Sequence, residues 1–272
     1  MHKLPFARVS SLGLALALTL APASAQSSNS VDVLYAGSLV TPMESAVAPA
    51  LRARGIEFTG EPGGSKKLAN LIVAGVRSPD VFISVDPAIV ASLGDRVASS
   101  TTFAHTRLGI GWSDKSRVAD VLGSVAAKQT PLLVALATPG LVIGRTDPKL
   151  DPKGVFTIAA MKEFAGAADE RRILGADENP DQIYPEEDLL ARVELGEIDV
   201  GFFYRTEAIA RHLKFVPLPV GDASAIAYSL AVMKAAPHPA QARAFADFIL
   251  TGPGRTLLEK AGLDYITAAG SL

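Results

Sequence analysis

Residues 31–55 read VDVLYAGSLVTPMESAVAPALRARG. Val31 to Tyr35 alternates apolar and polar side chains, as a strand does, and ends at Ala36-Gly37-Ser38. A helix start is then spelled out: Thr41 at the N-cap, Pro42 at the first helical position and Glu44 three residues after the cap complete a capping box. Met43, Ala46, Val47, Ala50 and Leu51 share one apolar face, and Gly55 closes the helix. The reading is a strand, a Gly-Ser turn and a helix.

The unit repeats downstream. Ile56 to Thr59 reads as a strand, Glu61-Pro62-Gly63-Gly64-Ser65 as a turn, and Lys66 to Ala74 as a helix with Leu68, Leu71 and Ile72 inward and Gly75 as its stop. Val81-Phe82-Ile83 is wholly apolar, as a strand covered on both faces of a parallel sheet must be. Strands are further expected at Leu108–Trp112, Leu132–Ala137, Ile198–Tyr204, Phe215–Leu218 and Ala225–Met233. Helices are expected at Lys115–Val125, about 155–165, Glu186–Leu195, Thr206–His212, Gln241–Leu250 and Arg255–Ala261. Strands alternating with helices make an α/β fold. The order suggests two lobes: residues 26–106 with 223–272 in the first, and 107–222 in the second, joined by crossovers near 106 and 223.

Outward from this core, residues 1–25 read as a secretory leader. Lys3 and Arg8 give a basic start, Leu12 to Leu20 an apolar stretch too short to span a bilayer, and Ala23-Ser24-Ala25 a small-residue cleavage site. The mature chain is expected to start at Gln26, in the periplasm. With no cysteine there is neither a lipid-acceptor thiol nor a disulfide framework. A net charge of −2 without polybasic runs argues against nucleic acid, and no second apolar segment is long enough for membrane insertion. Only four histidines, scattered, leave no soft-metal cluster.

Four segments place an oxygen-bearing side chain where a strand ends and a helix begins: Ser38, Ser65, Asp151 before Pro152-Lys153-Gly154, and Glu186 in Tyr184-Pro185-Glu186-Glu187-Asp188. Helix N-termini carry unpaired N–H groups and partial positive charge, so several meeting at one cleft make an anion site. Each residue also has a local reading: Ser65 and Asp151 as helix caps, Ser38 as a turn residue, Glu186 as a solvated first-turn acid.

These stretches resemble the extracytoplasmic solute-binding proteins of molybdate and tungstate transporters, in particular the tungstate/molybdate branch typified by archaeal members. The similarity is carried by Tyr35-Ala36-Gly37-Ser38-Leu39, Gly64-Ser65, Pro79-Asp80-Val81-Phe82-Ile83-Ser84-Val85-Asp86, the segment 144–154, and the run from Glu186 through Leu195-Gly196-Glu197-Ile198-Asp199 to Tyr204. The resemblance implies a two-lobed type II periplasmic binding protein fold with two hinge crossovers. It also implies a monomer that captures the oxyanion and delivers it to ABC transporter permease subunits, with no cofactor beyond the bound ligand. In that branch two carboxylates complete an expanded shell around the metal while serine hydroxyls and backbone amides hold the oxo groups. By motif the metal ligands fall on Asp151 and Glu186, with Glu187 the substitute if the pair is displaced by one. The oxygen-binding groups fall on Ser38 and Ser65, with Gly37, Gly64 and Tyr204 completing the site. Archaeal members carry Asp-Pro-Cys-Gly-Tyr-Arg where this chain has Asp151-Pro152-Lys153-Gly154-Val155-Phe156.

Other residues read as structural: Lys153 as a solvated cation at the cleft rim, Arg145 as a salt-bridge partner of Asp147 or Asp151, Trp112 as packing and His105 as surface. Tyr204 fits a core position as well as a ligand contact. Two other functions compete. A carrier of ferric iron or another inorganic ion would use the same hard oxygen ligands. A hydrolase would need a nucleophile elbow or a zinc motif, and neither occurs, so the chain is not expected to be an enzyme.

Overall fold

The computed structural model describes residues 29–149, 151–177, 179–220 and 226–266. The leader, the start of the mature chain and the second crossover at 223 lie outside the described residues. Strand β1 (Ser30–Ala36) runs into a 3-10 turn at Gly37–Leu39 and then, without a break, through α1 (Val40–Pro42), a wide turn at Met43–Val47 and α2 (Ala48–Arg52). Helical backbone thus starts before Thr41, which makes no capping bond. Glu44 instead accepts the Tyr35 hydroxyl at 2.6 Å. The capping box expected from Thr41 and Glu44 is not formed, because the Gly-Ser turn is itself the first helical turn.

Next come β2 (Glu57–Gly63), α3 (Ser65–Val73), β3 (Val81–Ser84), α4 (Pro87–Ala91), β4 (Val97–His105), β5 (Leu108–Trp112), α5 (Ala119–Ala126), α6 (Leu132–Leu136) and β6 (Ile143–Gly144). The remainder is α7 (Pro152–Leu174), α8 (Glu186–Leu195), β7 (Val200–Tyr204), α9 (Arg205–Ala210), β8 (Lys214–Pro217), β9 (Ala227–Met233), α10 (Pro239–Leu250), α11 (Pro253–Lys260) and β10 (Asp264–Tyr265).

One six-stranded sheet has the order β10-β4-β9-β3-β1-β2, and a four-stranded sheet the order β6-β7-β5-β8. β1 lies parallel to β2 and β3, whereas β9 is antiparallel to both β3 and β4. In the larger sheet side chains alternate between two covered faces. Val31, Val33, Val81 and Ile83 pack in the main core with Leu51 of α2 and Phe245 of α10, while Leu34 and Phe82 pack against Leu68 and Ile72 of α3. Burial on both sides accounts for the absence of any polar residue at Val81-Phe82-Ile83. Asp80, fully buried just before β3, accepts the backbone N–H of Asp32 at 2.8 Å and of His238 at 2.6 Å, tying β1 to the start of α10.

Three elements stand out as different from their sequence reading. Leu132–Ala137, expected as a strand, is helical: Leu132, Ala135 and Leu136 are buried, but Val134 is 60% exposed. A strand would bury positions 132, 134 and 136 together, and so short an apolar run cannot distinguish the two periods. β4 was not anticipated, because Ala98-Ser99-Ser100-Thr101-Thr102 is polar and exposed. It pairs with β9 through two register shifts. α7 is also longer than the expected 155–165, continuing past a break at Gly166, whose φ is 79°.

The chain passes from the larger sheet to the smaller between His105 and Leu108 and re-enters the larger with β9. Beside the first passage, Arg205 donates to the Gly262 carbonyl at 2.8 Å and pairs with Asp264 at 2.7 Å, linking α9 to β10. Among the described residues, no helix is long and apolar enough to cross a membrane.

Candidate functional site

A cavity of about 450 Å³ lies between the two sheets, beyond the ends of β1, β2, β6 and β7. Parallel strands leave their helix N-termini on one side, and open α/β sheets hold ligands there. Of the expected site residues, Ser38, Ser65, Asp151, Glu186, Tyr204, Gly37 and Gly64 all line this cavity, as does Glu187.

Each is held by its local structure. Ser38, in the turn after β1, has its Oγ 2.7 Å from the Tyr228 hydroxyl on β9. Ser65 is the first residue of α3, not its cap; Gly64 holds that place without a side-chain bond. The buried Ser65 Oγ accepts the Val85 N–H at 3.2 Å, which keeps its own O–H as a donor. Asp151 caps α7, its Oδ1 taking the Lys153 N–H at 2.9 Å, and Pro152 presets the first helical φ. Glu186 opens α8 after Pro185. Its carboxylate reaches across the cavity: a Cβ on Gly37 would lie 3.7 Å from Glu186 Oε2 and 3.8 Å from Oε1. The carboxylate thus lies in van der Waals range of the Gly37 backbone position across the cavity.

Lys153 is not solvated. It is 1% exposed, with its ammonium 2.7 Å from Glu207 Oε1 and 3.6 Å from Glu186 Oε2, and 5.6 Å from the centre of the Tyr204 ring. The early helical turn set by Pro152 turns residue 153 inward, towards the end of β7. Glu207 is fixed in its turn, its Oε2 accepting the Tyr204 N–H at 2.8 Å. Burial works against the Lys153 charge, but Glu186, Glu207 and Asp151 outweigh it and hold its pKa above the usual lysine value. Burial likewise opposes a charged Glu186, and Lys153 outweighs it, holding Glu186 below the usual range. Glu207, whose burial is complete and whose neighbour Glu186 is negative, is pushed well up. Asp151 is raised, chiefly by burial.

The Tyr204 hydroxyl is buried and has no hydrogen-bond partner among the described residues, although its residue lines the cavity. Burial and the acids around it push its pKa well above the ordinary tyrosine value, so it stays a phenol with a proton to donate. A buried unpaired hydroxyl costs about 1–3 kcal/mol.

Arg145 does not pair with Asp147 or Asp151. It is fully buried behind the site, and its Nη2 donates at 2.9 Å to the carbonyls of Ala176 and Asp177. With backbone bonds from Arg145 to Gln182 at 2.8 Å and from Tyr184 to Arg145 at 3.0 Å, it seats the segment that delivers Glu186. Trp112 is buried packing, as expected. Glu207 and Tyr228 were missed. Nothing near them in sequence resembles a binding motif.

The lining is chemically one-sided. Among the described residues it carries Asp147, Asp151, Glu186 and Glu187 together with hydroxyls and glycines, and no lysine, arginine or histidine. Positive potential at the wall comes from the starts of α3, α7 and α8 and from Lys153 behind it, while Lys66 and Lys149 line a neighbouring cavity that shares Asp151 and Pro152. Such a set of hard oxygen donors suits an electron-poor centre that accepts additional oxygens.

The family model described as bacterial extracellular solute-binding protein matches residues 31–264. A Haloferax volcanii protein, provisionally named as a molybdenum-binding protein of an ABC transporter, is 33% identical over 70% of this chain and 59% of its own length. The present chain thus spans less than two thirds of that relative. The molybdate/tungstate-binding protein WtpA of Pyrococcus abyssi is 25% identical over 86% of this chain and 84% of its own. Among solved structures, the periplasmic molybdate-binding protein of Azotobacter vinelandii is similar with a TM-score of 0.65 at 20% identity, covering 88% of this chain and 99% of that one. Iron-bound HitA from Pseudomonas aeruginosa is similar with a TM-score of 0.59 at 20% identity, covering 89% of both chains. At such identities the likeness shows the type II periplasmic binding protein fold, and the ligand has to be argued from the site.

Proposed function

The chain belongs to the bacterial extracellular solute-binding proteins, and from that premise we propose that it captures molybdate or tungstate outside the cytoplasm and hands it to an ABC importer. The observation that carries the ligand class is the convergence of Asp151 and Glu186 with Ser38, Ser65 and Tyr204, whose hydroxyl has no partner among the described residues, on a cavity with no basic lining residue among those described. A sulfate or phosphate centre accepts no further ligand, so two carboxylates facing it would only repel a dianion. A hexavalent molybdenum or tungsten centre takes carboxylate oxygens as bonds, turning the same acids into attraction. Ser38, Ser65, Tyr204 and the backbone at Gly37 and Gly64 serve the oxo groups.

Residues 26–106 with 223–272 form one lobe and 107–222 the other, and hinge closure brings Ser38 and Ser65 over Asp151 and Glu186. Ligand shifts the protein towards the closed form because only that form presents both sets of donors. A leader cleaved after Ala25 delivers a monomer to the periplasm, where the permease reads the closed shape. The acid-rich lining also favours a second reading, a ferric or other hard cation held by the same carboxylates and Tyr204.

Calorimetry of the ligand-stripped mature protein with molybdate, tungstate, sulfate, phosphate and ferric iron separates these readings. Molybdate and tungstate are expected to bind tightly and, at 100 times Kd, to stabilise the fold by about 2.7 kcal/mol. Asp151→Ala and Glu186→Ala are expected to abolish that binding. Sulfate binding as well as molybdate, with both variants unaffected, would refute the carboxylate assignment. Iron alone raising the melting temperature would establish the second reading.

A further inference from the structure

The geometry points to Lys153 as the positioning residue that sets how the cleft coordinates its ligand: from behind the wall, its ammonium holds the Glu186 carboxylate in place and offsets its charge. The inference rests on the molybdate/tungstate reading and concerns a residue outside the cavity lining.

Lys153 has no path to a ligand, being 1% exposed, so it acts only through its neighbours. Two of them are acids from different elements: Glu207 of α9, at 2.7 Å, and Glu186 of α8, at 3.6 Å. The pairing with Glu207 is the anchor, because Glu207 is itself locked to the end of β7 through the Tyr204 N–H. Asp151, two residues before Lys153, is locked to the same helical turn through the Lys153 N–H. One ammonium therefore ties together the starts of α7, α8 and α9, which carry Asp151, Glu186 and the end of the Tyr204 strand. On its other side the Glu186 carboxylate meets Gly37, whose missing Cβ would be 3.7 Å from Oε2. Glu186, a quarter exposed at the cavity wall, is thus held between a cation and the backbone at Gly37 rather than left to solvent as a first-turn glutamate ordinarily is. A carboxylate held in this way can bond a metal centre at little entropic cost. Without the cation, two buried acids would face each other and Glu186 would turn away.

The test is the coordination number of bound molybdenum, read by X-ray absorption at the Mo K-edge, with calorimetric affinity and the ligand-free melting temperature measured alongside. The proteins are wild type, Lys153→Met and the double variant Lys153→Met/Glu207→Gln. Wild type is expected to show a shell expanded beyond four oxygens. Lys153→Met is expected to lose molybdate affinity on the order of 100-fold, as when one partner of a buried ion pair is removed, and to fall back to four oxygens. The double variant removes the Lys153–Glu207 contact as a unit and spares Glu186 a second acid beside it, so its melting temperature rises above that of Lys153→Met, while affinity and coordination number stay low because Glu186 still lacks its cation. It carries the test if the single variant does not fold. An expanded shell and unchanged affinity in the double variant would overturn the positioning role and leave Lys153 a structural ion pair. Four oxygens in wild type would instead overturn the carboxylate-ligand reading on which the inference stands.

Discussion

Tyr204→Phe is expected to weaken ligand binding without weakening the fold, a combination that few cleft substitutions produce. The ring is buried at the end of β7 and packs the same way as phenylalanine, so no cavity is made. Only the hydroxyl is removed, and that hydroxyl has no partner among the described residues. Removing an orphan that costs about 1–3 kcal/mol should stabilise the unliganded closed form. Water reaches the group when the lobes part, so the net gain in ligand-free stability is about 1 kcal/mol at most, or roughly 2–4 °C in Tm for a chain of this size. The bound form loses a hydrogen bond to an ionic oxygen, about 1.5–3 kcal/mol, which is roughly a 10- to 150-fold rise in Kd. The assay is paired: thermal unfolding of ligand-stripped protein, and calorimetry with molybdate. A variant that melts lower than wild type when empty yet binds molybdate equally well would refute the reasoning, because the hydroxyl would then be a fold contact and not a ligand contact.

Two further substitutions test how the acids are held. A Cβ at Gly154 would come within 2.6 Å of the Pro148 nitrogen and of the Thr146 carbonyl, both backbone atoms that cannot swing aside. Gly154→Ala should therefore cost about 1–3 kcal/mol by overpacking and, by shifting the turn that carries Asp151, weaken molybdate binding; a denaturant midpoint and an affinity equal to wild type would contradict both statements. Asp199 accepts the backbone N–H of Val142 at 2.9 Å and the Arg117 guanidinium at 2.6 Å; burial raises its pKa, but these bonds prevail and hold it below the usual aspartate range. Its folded-state pKa being depressed, its contribution is present above the ordinary aspartate value, about 4, and fades as pH falls through the lower folded value. Asp199→Asn should be less stable at pH 7 by about 2–3 kcal/mol, with the gap to wild type closing in melts taken below pH 4; a pH-independent gap would show that the charge is not what matters.

The α/β class, the β1 turn at Ala36-Gly37-Ser38 and the placing of Ser38, Ser65, Asp151 and Glu186 near helix starts were legible in the chain itself; their proposed role as ligands came from the family resemblance. Each legible feature rests on a local rule: alternation in a strand, proline at the first position of a helix, an acid or hydroxyl where a helix begins. Local rules act between residues a few positions apart, so they survive without a fold around them. They misjudged Leu132–Ala137 and missed β4, because in both the deciding factor was which neighbour covered the segment. Lys153 marks the boundary most clearly. In sequence it is a lysine in a polar loop, for which solvent is the natural setting. What makes it a buried cation is Glu207, fifty-four positions away, and Glu186 from a third helix. A charge is tolerated inside a protein only where partners from distant parts of the chain meet it, and that meeting is a property of the fold. The chain by itself determined which groups stand ready at the helix starts. Tertiary structure alone decided that they face one another across a single cleft with a hidden ammonium behind it.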